Sequence, residues 1–226
     1  MNKPARIGVF LAFTAVGVGM IIFGIMGYVR KNPPWVDFTA GHRPGTPVHL
    51  TLQTVGEMGH GGHPTWVSYL VEAPDGRWVH TTLWKLPAHT AIDVTLYEYD
   101  GATPLRNQFY GEVQGVGGSY TVDGRHLSLI KAASTSKGVA HTFTVPHLGI
   151  NVPLFAVPSS APHDCSYAPC HPNYAHETIK FSFNSGGVHE DRWQCFIPCG
   201  ASWLDGNGGP MQTIGYMGGF LEVVKA

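Results

Sequence analysis

The stretch Gln194-Cys195-Phe196-Ile197-Pro198-Cys199-Gly200 follows a strand-like run and carries two thiols separated by three residues. About fifty residues earlier, His141 lies in a second strand-like run over residues 139–145. Two thiols on a loop and an imidazole on a strand are ligands that suit copper. No histidine follows His189, so the sequence offers no imidazole downstream of the two cysteines.

The composition favours a fold of short strands. Of 226 residues, 43% are hydrophobic and only 13% are charged, and there are 29 Gly and 17 Pro. Such a chain suits strands joined by many turns, and we predict an all-β sandwich. The formal net charge of −1 offers no cationic surface for phosphate backbones, so nucleic acid is not an expected partner. No nucleophile elbow or Gly-rich phosphate loop indicates a hydrolase.

The N-terminal region contains 22 consecutive uncharged residues, from Ile7 to Tyr28. A membrane-crossing helix needs roughly 20 apolar residues, whereas the apolar core of a cleaved signal peptide has roughly 7 to 15. Lys3 and Arg6 would fit the basic start of a signal peptide, but no small-x-small cleavage site follows the apolar run. We predict a retained single-pass anchor over residues 1–31, a linker over 32–47 and a β-domain over 48–226.

The orientation of the anchor follows from the rest of the chain. Basic residues flank both ends of the apolar run, so their count barely decides the topology. Four cysteines in two close pairs fit an oxidising compartment. We therefore expect the soluble domain on the outer side of the cell membrane. Gly8, Ala12, Ala15 and Gly19 share one helical face, which either receives a partner helix or reflects the usual frequency of small residues in membrane helices.

Turn signals divide residues 48–226 into short strand-like runs. The segment 151–175 differs, since it holds five prolines and no periodicity, and we predict a long loop there. The predicted strands cover residues 48–55, 65–72, 78–84, 92–99, 109–113, 120–122, 128–131, 139–145, 178–183, 192–196 and 220–224.

From residue 139 to the C-terminus, the order and spacing of these motifs resemble the outward-facing domain of subunit II of haem-copper oxygen reductases. That domain is a cupredoxin attached to one or two N-terminal membrane helices, and this chain is similar to the one-helix type. The resemblance implies a Greek-key cupredoxin sandwich. It also implies a copper site, which in that family holds two ions. The matching positions are His141, Cys195, Cys199, Met217 and the carbonyl of Ile197.

The second histidine of the family pattern has no match in this chain. Counting three positions back from Met217 reaches Ile214, and counting forward from Cys199 reaches Trp203. Neither side chain can ligate a metal. A site with two copper ions would therefore keep an imidazole on only one of them, and the outer shell of the missing ligand would be lost as well.

Three outcomes remain open for this site. It is empty, with Cys195 and Cys199 oxidised to a disulfide; or it holds one copper through His141, a thiolate and Met217 or Met211; or it recruits a histidine from elsewhere in the fold. Because two thiols this close on a loop can reach disulfide geometry, we predict the first outcome.

Other histidines are interpreted more plainly. His60 and His63 lie on a Gly-rich loop and would need a third ligand to hold a metal. The cluster of His163, Cys165, Cys170 and His171 has zinc-type ligands, but a Cys165–Cys170 disulfide is the simpler expectation. His189, beside a turn, is interpreted as solvated.

The resemblance implies a subunit II-like component of a membrane haem-copper terminal oxidase, non-catalytic by itself and bound to the large catalytic subunit. Without an intact copper site, such an oxidase would resemble quinol oxidases. With copper, the expected electron donor is a cytochrome or another cupredoxin. The alternative is a membrane-anchored carrier with a single copper, or an accessory subunit of another membrane enzyme such as a monooxygenase. The remaining alternative is an anchored β-sandwich with structural disulfides only.

Overall fold

A computed structural model describes residues 3–29, 33–56, 66–102, 105, 107–126, 138–158, 160–161, 165, 168–199, 209–211 and 213–225. It divides the chain into two compact units, residues 1–32 and residues 33–226. The predicted strand over 128–131 and the residues His60, His63, His163 and Trp203 lie outside the described residues.

The first unit contains one α-helix, α1 (Lys3–Val29). Within it, the 24-residue stretch Lys3–Met26 is long and apolar enough to cross a membrane, and none of it is buried by the rest of the structure. The predicted N-terminal apolar helix is confirmed.

The second unit consists of two mixed β-sheets. Its strands are β1 (Val36–Asp37), β2 (Val48–Val55), β3 (Ser68–Glu72), β4 (Trp78–Val79), β5 (Leu83–Pro87), β6 (Ala91–Glu98), β7 (Thr121–Val122), β8 (Arg125–His126), β9 (Val139–Val145), β10 (Ile150–Phe155), β11 (Glu177–Asn184), β12 (His189–Gln194) and β13 (Gly218–Val224). One sheet has the order β1-β5-β13-β12-β9-β10, and the other has the order β4-β3-β2-β6-β11-β7-β8.

The core lies between the sheets because their strands alternate buried and open positions. In β6 and β11 every second residue is buried, which is the period of a strand with one face toward a core. Aromatic rings fill the centre: Trp84 stacks on Trp193 with ring centroids 4.5 Å apart, and Phe143 lies 5.3 Å from Trp193. The predicted all-β sandwich is confirmed, and its architecture is cupredoxin-like.

Three of the predicted elements are wrong. The predicted strand over 78–84 is two strands in different sheets, since β4 ends at Val79 and β5 begins at Leu83. Residues 109–113 do not form a strand: a 3-10 turn spans Gln108–Gly111, because Asn107 accepts a hydrogen bond from the Phe109 amide and caps it. The predicted loop over 151–175 begins too early, since β10 occupies Ile150–Phe155 and pairs antiparallel with β9. All six residues of β10 are buried, so it has no alternation, and Pro153 is tolerated because β10 is the edge of its sheet.

Candidate metal centre

The site lies where β9 and β12 meet at one end of the sandwich. His141 is on β9, and Cys195 follows the last residue of β12, which pairs with Thr144 of β9. Two hydrogen bonds attach the cysteine loop to β9: the Thr142 amide donates to Cys195 Sγ (3.4 Å), and the Phe196 amide donates to Thr142 Oγ1 (2.9 Å). The strand pairing therefore sets the distance between imidazole and thiol.

Three ligand-type side chains converge at this end. His141 Nδ1 lies 3.9 Å from Cys195 Sγ, and Cys195 Sγ lies 3.6 Å from Cys199 Sγ. The nitrogen and the two sulfur atoms all lie within 4.8 Å of one another. His141 and Cys195 are 0% exposed, and Cys199 is 4% exposed, so water has little access to the donors. The arrangement is a buried nitrogen and sulfur donor set.

A thioether completes this set, and it belongs to Met211. Its Sδ lies 3.0 Å from Cys199 Sγ. Met217 is fully buried, and its carbonyl accepts a hydrogen bond from the Cys195 amide (2.8 Å), so its backbone holds the loop. The carbonyl of Ile197 lies 3.5 Å from Cys195 Sγ. The predicted positions thus gather in one region, with Met211 in sulfur contact with Cys199.

The predicted Cys195–Cys199 disulfide is wrong, since both cysteines are free. Each sulfur is engaged elsewhere: Cys195 faces the Thr142 amide and His141, and Cys199 faces Met211. The predicted Cys165–Cys170 disulfide is confirmed. Gln53 fastens this bridge to the second sheet, because its side chain exchanges two hydrogen bonds with the backbone of Cys170.

A carboxylate orients the imidazole of His141. The ring's Nε2 lies 3.0 Å from Asp100 Oδ2, so Nε2–H donates to the carboxylate and Nδ1 faces the sulfur of Cys195. A carboxylate behind a histidine ligand fixes the ring and raises its basicity. Sequence reasoning missed this role, since no motif links Asp100 to His141, which lies 41 residues later. Only the folded chain brings Asp100 next to His141.

In the metal-free site, neighbouring groups shift the pKa values of His141 and the two cysteines. Burial opposes a charge on His141, but Glu98 and the hydrogen bond to Asp100 hold its pKa well above the usual range. Burial also opposes ionisation of Cys195, yet hydrogen bonds from Cys199 and His141 hold its pKa well below that of an ordinary thiol. The hydrogen bond to Cys195 raises the pKa of Cys199. Cys195 is therefore the thiol of this pair that ionises more readily, and binding of a metal would release protons from the site.

Glu98 is fully buried and interacts electrostatically with His141. Complete burial raises its pKa from 4.5 to about 8. The Thr54 hydroxyl and the Asp100 amide both hydrogen bond to its carboxyl group. Since Asp100 contacts His141, Glu98 supports the loop that carries the orienting carboxylate.

The donors at this site fit copper. Thiolates and a thioether are soft ligands, and an imidazole is a common partner of copper ions. His141, Cys195, Cys199 and Met211 would hold the ion, and Asp100 would orient His141. Among the described residues, the donor group at this end contains no histidine other than His141. The recruitment of a second imidazole is therefore not seen in the part of the chain that is described.

Comparison with known proteins gives only distant similarities. No protein-family model and no curated protein matches the chain. Among solved structures, the copper protein rusticyanin is similar at 15% identity with a TM-score of 0.35, covering 90% of this chain and 94% of rusticyanin. A rusticyanin variant with one substitution is similar at 14% identity and a TM-score of 0.33, covering 84% of this chain and 81% of the variant.

A chain of a heme-copper terminal oxidase dimer is similar at 13% identity with a TM-score of 0.30, covering 98% of this chain and all of that one (100%). The architecture itself carries the conclusion about the fold: two mixed sheets enclose an aromatic core, and a His/Cys/Cys group lies at one end where β9 meets the loop after β12. The chain is a cupredoxin-like β-sandwich preceded by an N-terminal apolar helix.

Proposed function

We propose that this chain is a membrane-anchored copper protein that transfers electrons as the subunit II-like component of a haem-copper terminal oxidase. One observation carries the copper assignment: an imidazole, two free thiols and a thioether converge at one end of the sandwich, where the imidazole and both thiols are buried. Two reduced cysteines in a domain that also forms a disulfide indicate that their positions serve ligation rather than cross-linking.

The donor set supports one copper per chain. The sequence contains no histidine after His189, and His141 is the imidazole at this end among the described residues. Bound copper supplies a one-electron redox step. The chain supplies the rest: Cys195, Cys199 and Met211 offer sulfur, Asp100 holds the His141 ring, and the aromatic core excludes water.

The oxidase assignment rests on the order of parts and motifs along the chain. An apolar helix precedes the sandwich, and His141, Cys195 and Cys199 follow in the order found in subunit II. In this proposal residues 1–31 anchor the chain, residues 32–47 link, and residues 48–226 form the domain on the outer side. The partner is the large catalytic subunit in the membrane, and the donor is a cytochrome or another cupredoxin.

The missing second histidine favours a second candidate, a quinol-oxidase-like subunit without copper. In such a complex the large subunit takes electrons from quinol directly, and this chain caps it. The two candidates differ in a measurable property, the copper content of the purified full-length chain.

The test is copper loading of the detergent-solubilised full chain under reducing conditions, followed by metal analysis, thiol counting and electron paramagnetic resonance. We expect one copper per chain, two free thiols in the metal-free protein and a mononuclear spectrum. His141→Gln should lose the copper, whereas His49→Gln, which changes an exposed histidine, should keep it. Failure of the reduced wild-type chain to bind copper would support the quinol-oxidase-like candidate, and two coppers with mixed-valence hyperfine structure would show a binuclear site.

The partner is tested separately by tagging the chain and purifying it from native membranes. A haem-copper catalytic subunit in stoichiometric amount supports the proposal. Components of a monooxygenase in its place would support the accessory-subunit alternative.

A further inference from the structure

A second cluster of ligand-type side chains lies away from the first. His147 is in the 3-10 turn Pro146–Leu148 between β9 and β10, and His189 and Asp191 are two positions apart on β12. Their ligand atoms all lie within 4.8 Å of one another. The two clusters have no residue in common, so the second shares no ligand with the first.

The tautomer of His189 leaves its outer nitrogen available. Nδ1 of His189 is hydrogen bonded to the carbonyl oxygen of Gly187, which can only accept, so Nδ1 carries the proton. In the neutral ring Nε2 then has a free lone pair. Metal-binding histidines are oriented in the same way, with one ring nitrogen donating to a carbonyl and the other on the ion.

The carboxylate of Asp191 lies at the centre of the cluster. Its side chain is only 3% exposed, and Oδ1 lies 2.6 Å from His147 Nδ1 while Oδ2 lies 2.6 Å from His189 Nε2. The contact with His147 is a hydrogen bond. In contrast, Asp191 Oδ2 and His189 Nε2 make no hydrogen bond of acceptable geometry with each other or with any other described residue.

Nε2 of a neutral His189 and the Asp191 carboxylate oxygen both present lone pairs here, and a cation bound by both would remove their repulsion. A buried carboxylate oxygen without a hydrogen bond is also costly unless a cation satisfies it. We propose that His147, His189 and Asp191 bind a divalent transition-metal ion of the zinc class. Two imidazoles and a carboxylate are ligands that zinc takes at such sites.

The site would tie the β9–β10 turn to β12. His147 is exposed (71% of its side chain), so water fills the remaining coordination positions, and the ion enters from that side. Binding replaces the proton that His147 Nδ1 shares with Asp191. The ligands here are nitrogen and oxygen only, whereas the other end of β9 offers sulfur, so the two sites select different metals.

The test uses Co²⁺ as the probe, on the full chain in detergent, with equilibrium dialysis and absorption spectroscopy. Co²⁺ bound by thiolate shows strong sulfur-to-metal charge-transfer absorption, whereas Co²⁺ on nitrogen and oxygen shows weak bands only. We expect the wild type to bind one Co²⁺ per chain at His147, His189 and Asp191, and this ion should give no charge-transfer absorption. His147→Gln and His189→Gln should each lose that ion and keep any charge-transfer band.

His49→Gln is the matched control, because His49 also lies beside an aspartate, 3.9 Å from Asp93, on the surface. It should bind as much Co²⁺ as the wild type. Since His147 is exposed, its variant should fold normally, and unchanged circular dichroism would establish this. Equal Co²⁺ binding by the wild type and both cluster variants would overturn the proposal. A cluster variant that lost only the charge-transfer band would also overturn it, because the lost Co²⁺ would then be the ion held by Cys195 and Cys199.

Discussion

Nε2 of His141 lies 3.0 Å from Oδ2 of Asp100, while Nδ1 of the same ring lies 3.9 Å from Cys195 Sγ. The imidazole is thus held between a carboxylate and a thiol that belong to distant parts of the sequence. This relation fixes which nitrogen faces the sulfur atoms before any ion arrives.

Replacing Asp100 with Asn should weaken copper binding without unfolding the protein. The amide removes the negative charge that makes His141 a better ligand, and loss of such outer partners typically costs 10- to 100-fold in affinity. Competition with a chelator measures the change. Asp93→Asn, at a surface His–Asp pair, serves as the control and should leave the affinity unchanged. Equal affinities for the two variants would contradict the orienting role of Asp100.

The two methionines should differ when each is replaced by Leu. Met211 Sδ contacts Cys199 Sγ, so Met211→Leu removes a sulfur donor. The reduction potential of the copper should rise, because loss of a ligand destabilises Cu(II) more than Cu(I). Met217→Leu should mainly alter packing, at a cost below about 1.5 kcal/mol. Redox titration and thermal unfolding separate the two effects. A larger potential shift for Met217→Leu would make Met217 the ligand.

Much of the sandwich could be predicted from the sequence, because most of its strands are recognisable locally. The run 48–55 coincides with β2, since its residue types and flanking turn signals mark a strand. The strand β10 could not be found in the same way, because both of its faces are buried and a proline interrupts it. Whether a strand is buried on both faces depends on the elements packed around it, and the alternation of residues along the strand does not reveal it.

The candidate site was only partly predictable. His141 and both cysteines follow from motif spacing, and Met211 was named as an alternative to Met217, but Asp100 reaches the site through tertiary folding. The predicted disulfide between Cys195 and Cys199 was wrong. Proximity in sequence shows that two thiols can approach each other, but it does not show that each thiol has another partner in the fold. The interpretation of His189 as solvated was wrong for a similar reason. Its side chain is only 18% exposed, because Asp191 and His147 lie beside it, and the sequence does not show that proximity.

Stability of the metal-free protein should fall as pH rises through the range set by Glu98. Its pKa is about 8 in the folded state and 4.5 ordinarily, so the folded state binds the extra proton between those values. This contribution is complete below the ordinary pKa and is lost as pH rises through the folded one. At about 1.4 kcal/mol per pKa unit, the loss is on the order of a few kcal/mol.

Denaturant unfolding of Glu98→Gln at several pH values measures this effect. The amide mimics the neutral acid, so the variant should show a flatter profile than the wild type between pH 4.5 and 8. Glu190→Gln changes an exposed carboxylate and should retain the wild-type profile. Parallel profiles for the wild type and Glu98→Gln would contradict the role of Glu98.

Gly219→Ala should destabilise the sandwich strongly. A Cβ at Gly219 would lie 1.9 Å from the Thr82 carbonyl oxygen, which accepts hydrogen bonds from the Phe220 amide and the Trp193 indole. Backbone must move to relieve this clash, at a cost of about 3 kcal/mol or more. Gly101→Ala, where a Cβ meets nothing within 4 Å, should have little effect. Unfolding midpoints compare the two, and equal midpoints would show that β13 can shift freely.

The contact between Cys199 and Met211 has a consequence for the part of the chain that joins them. Because the two sulfur atoms lie 3.0 Å apart, the chain leaves the centre and returns to nearly the same point. A connection whose ends meet can gain or lose residues at a small entropic cost, since closure entropy grows slowly with length. Changing the number of residues between Cys199 and Met211 should therefore alter the free energy of unfolding only slightly, while the donor atoms keep their places.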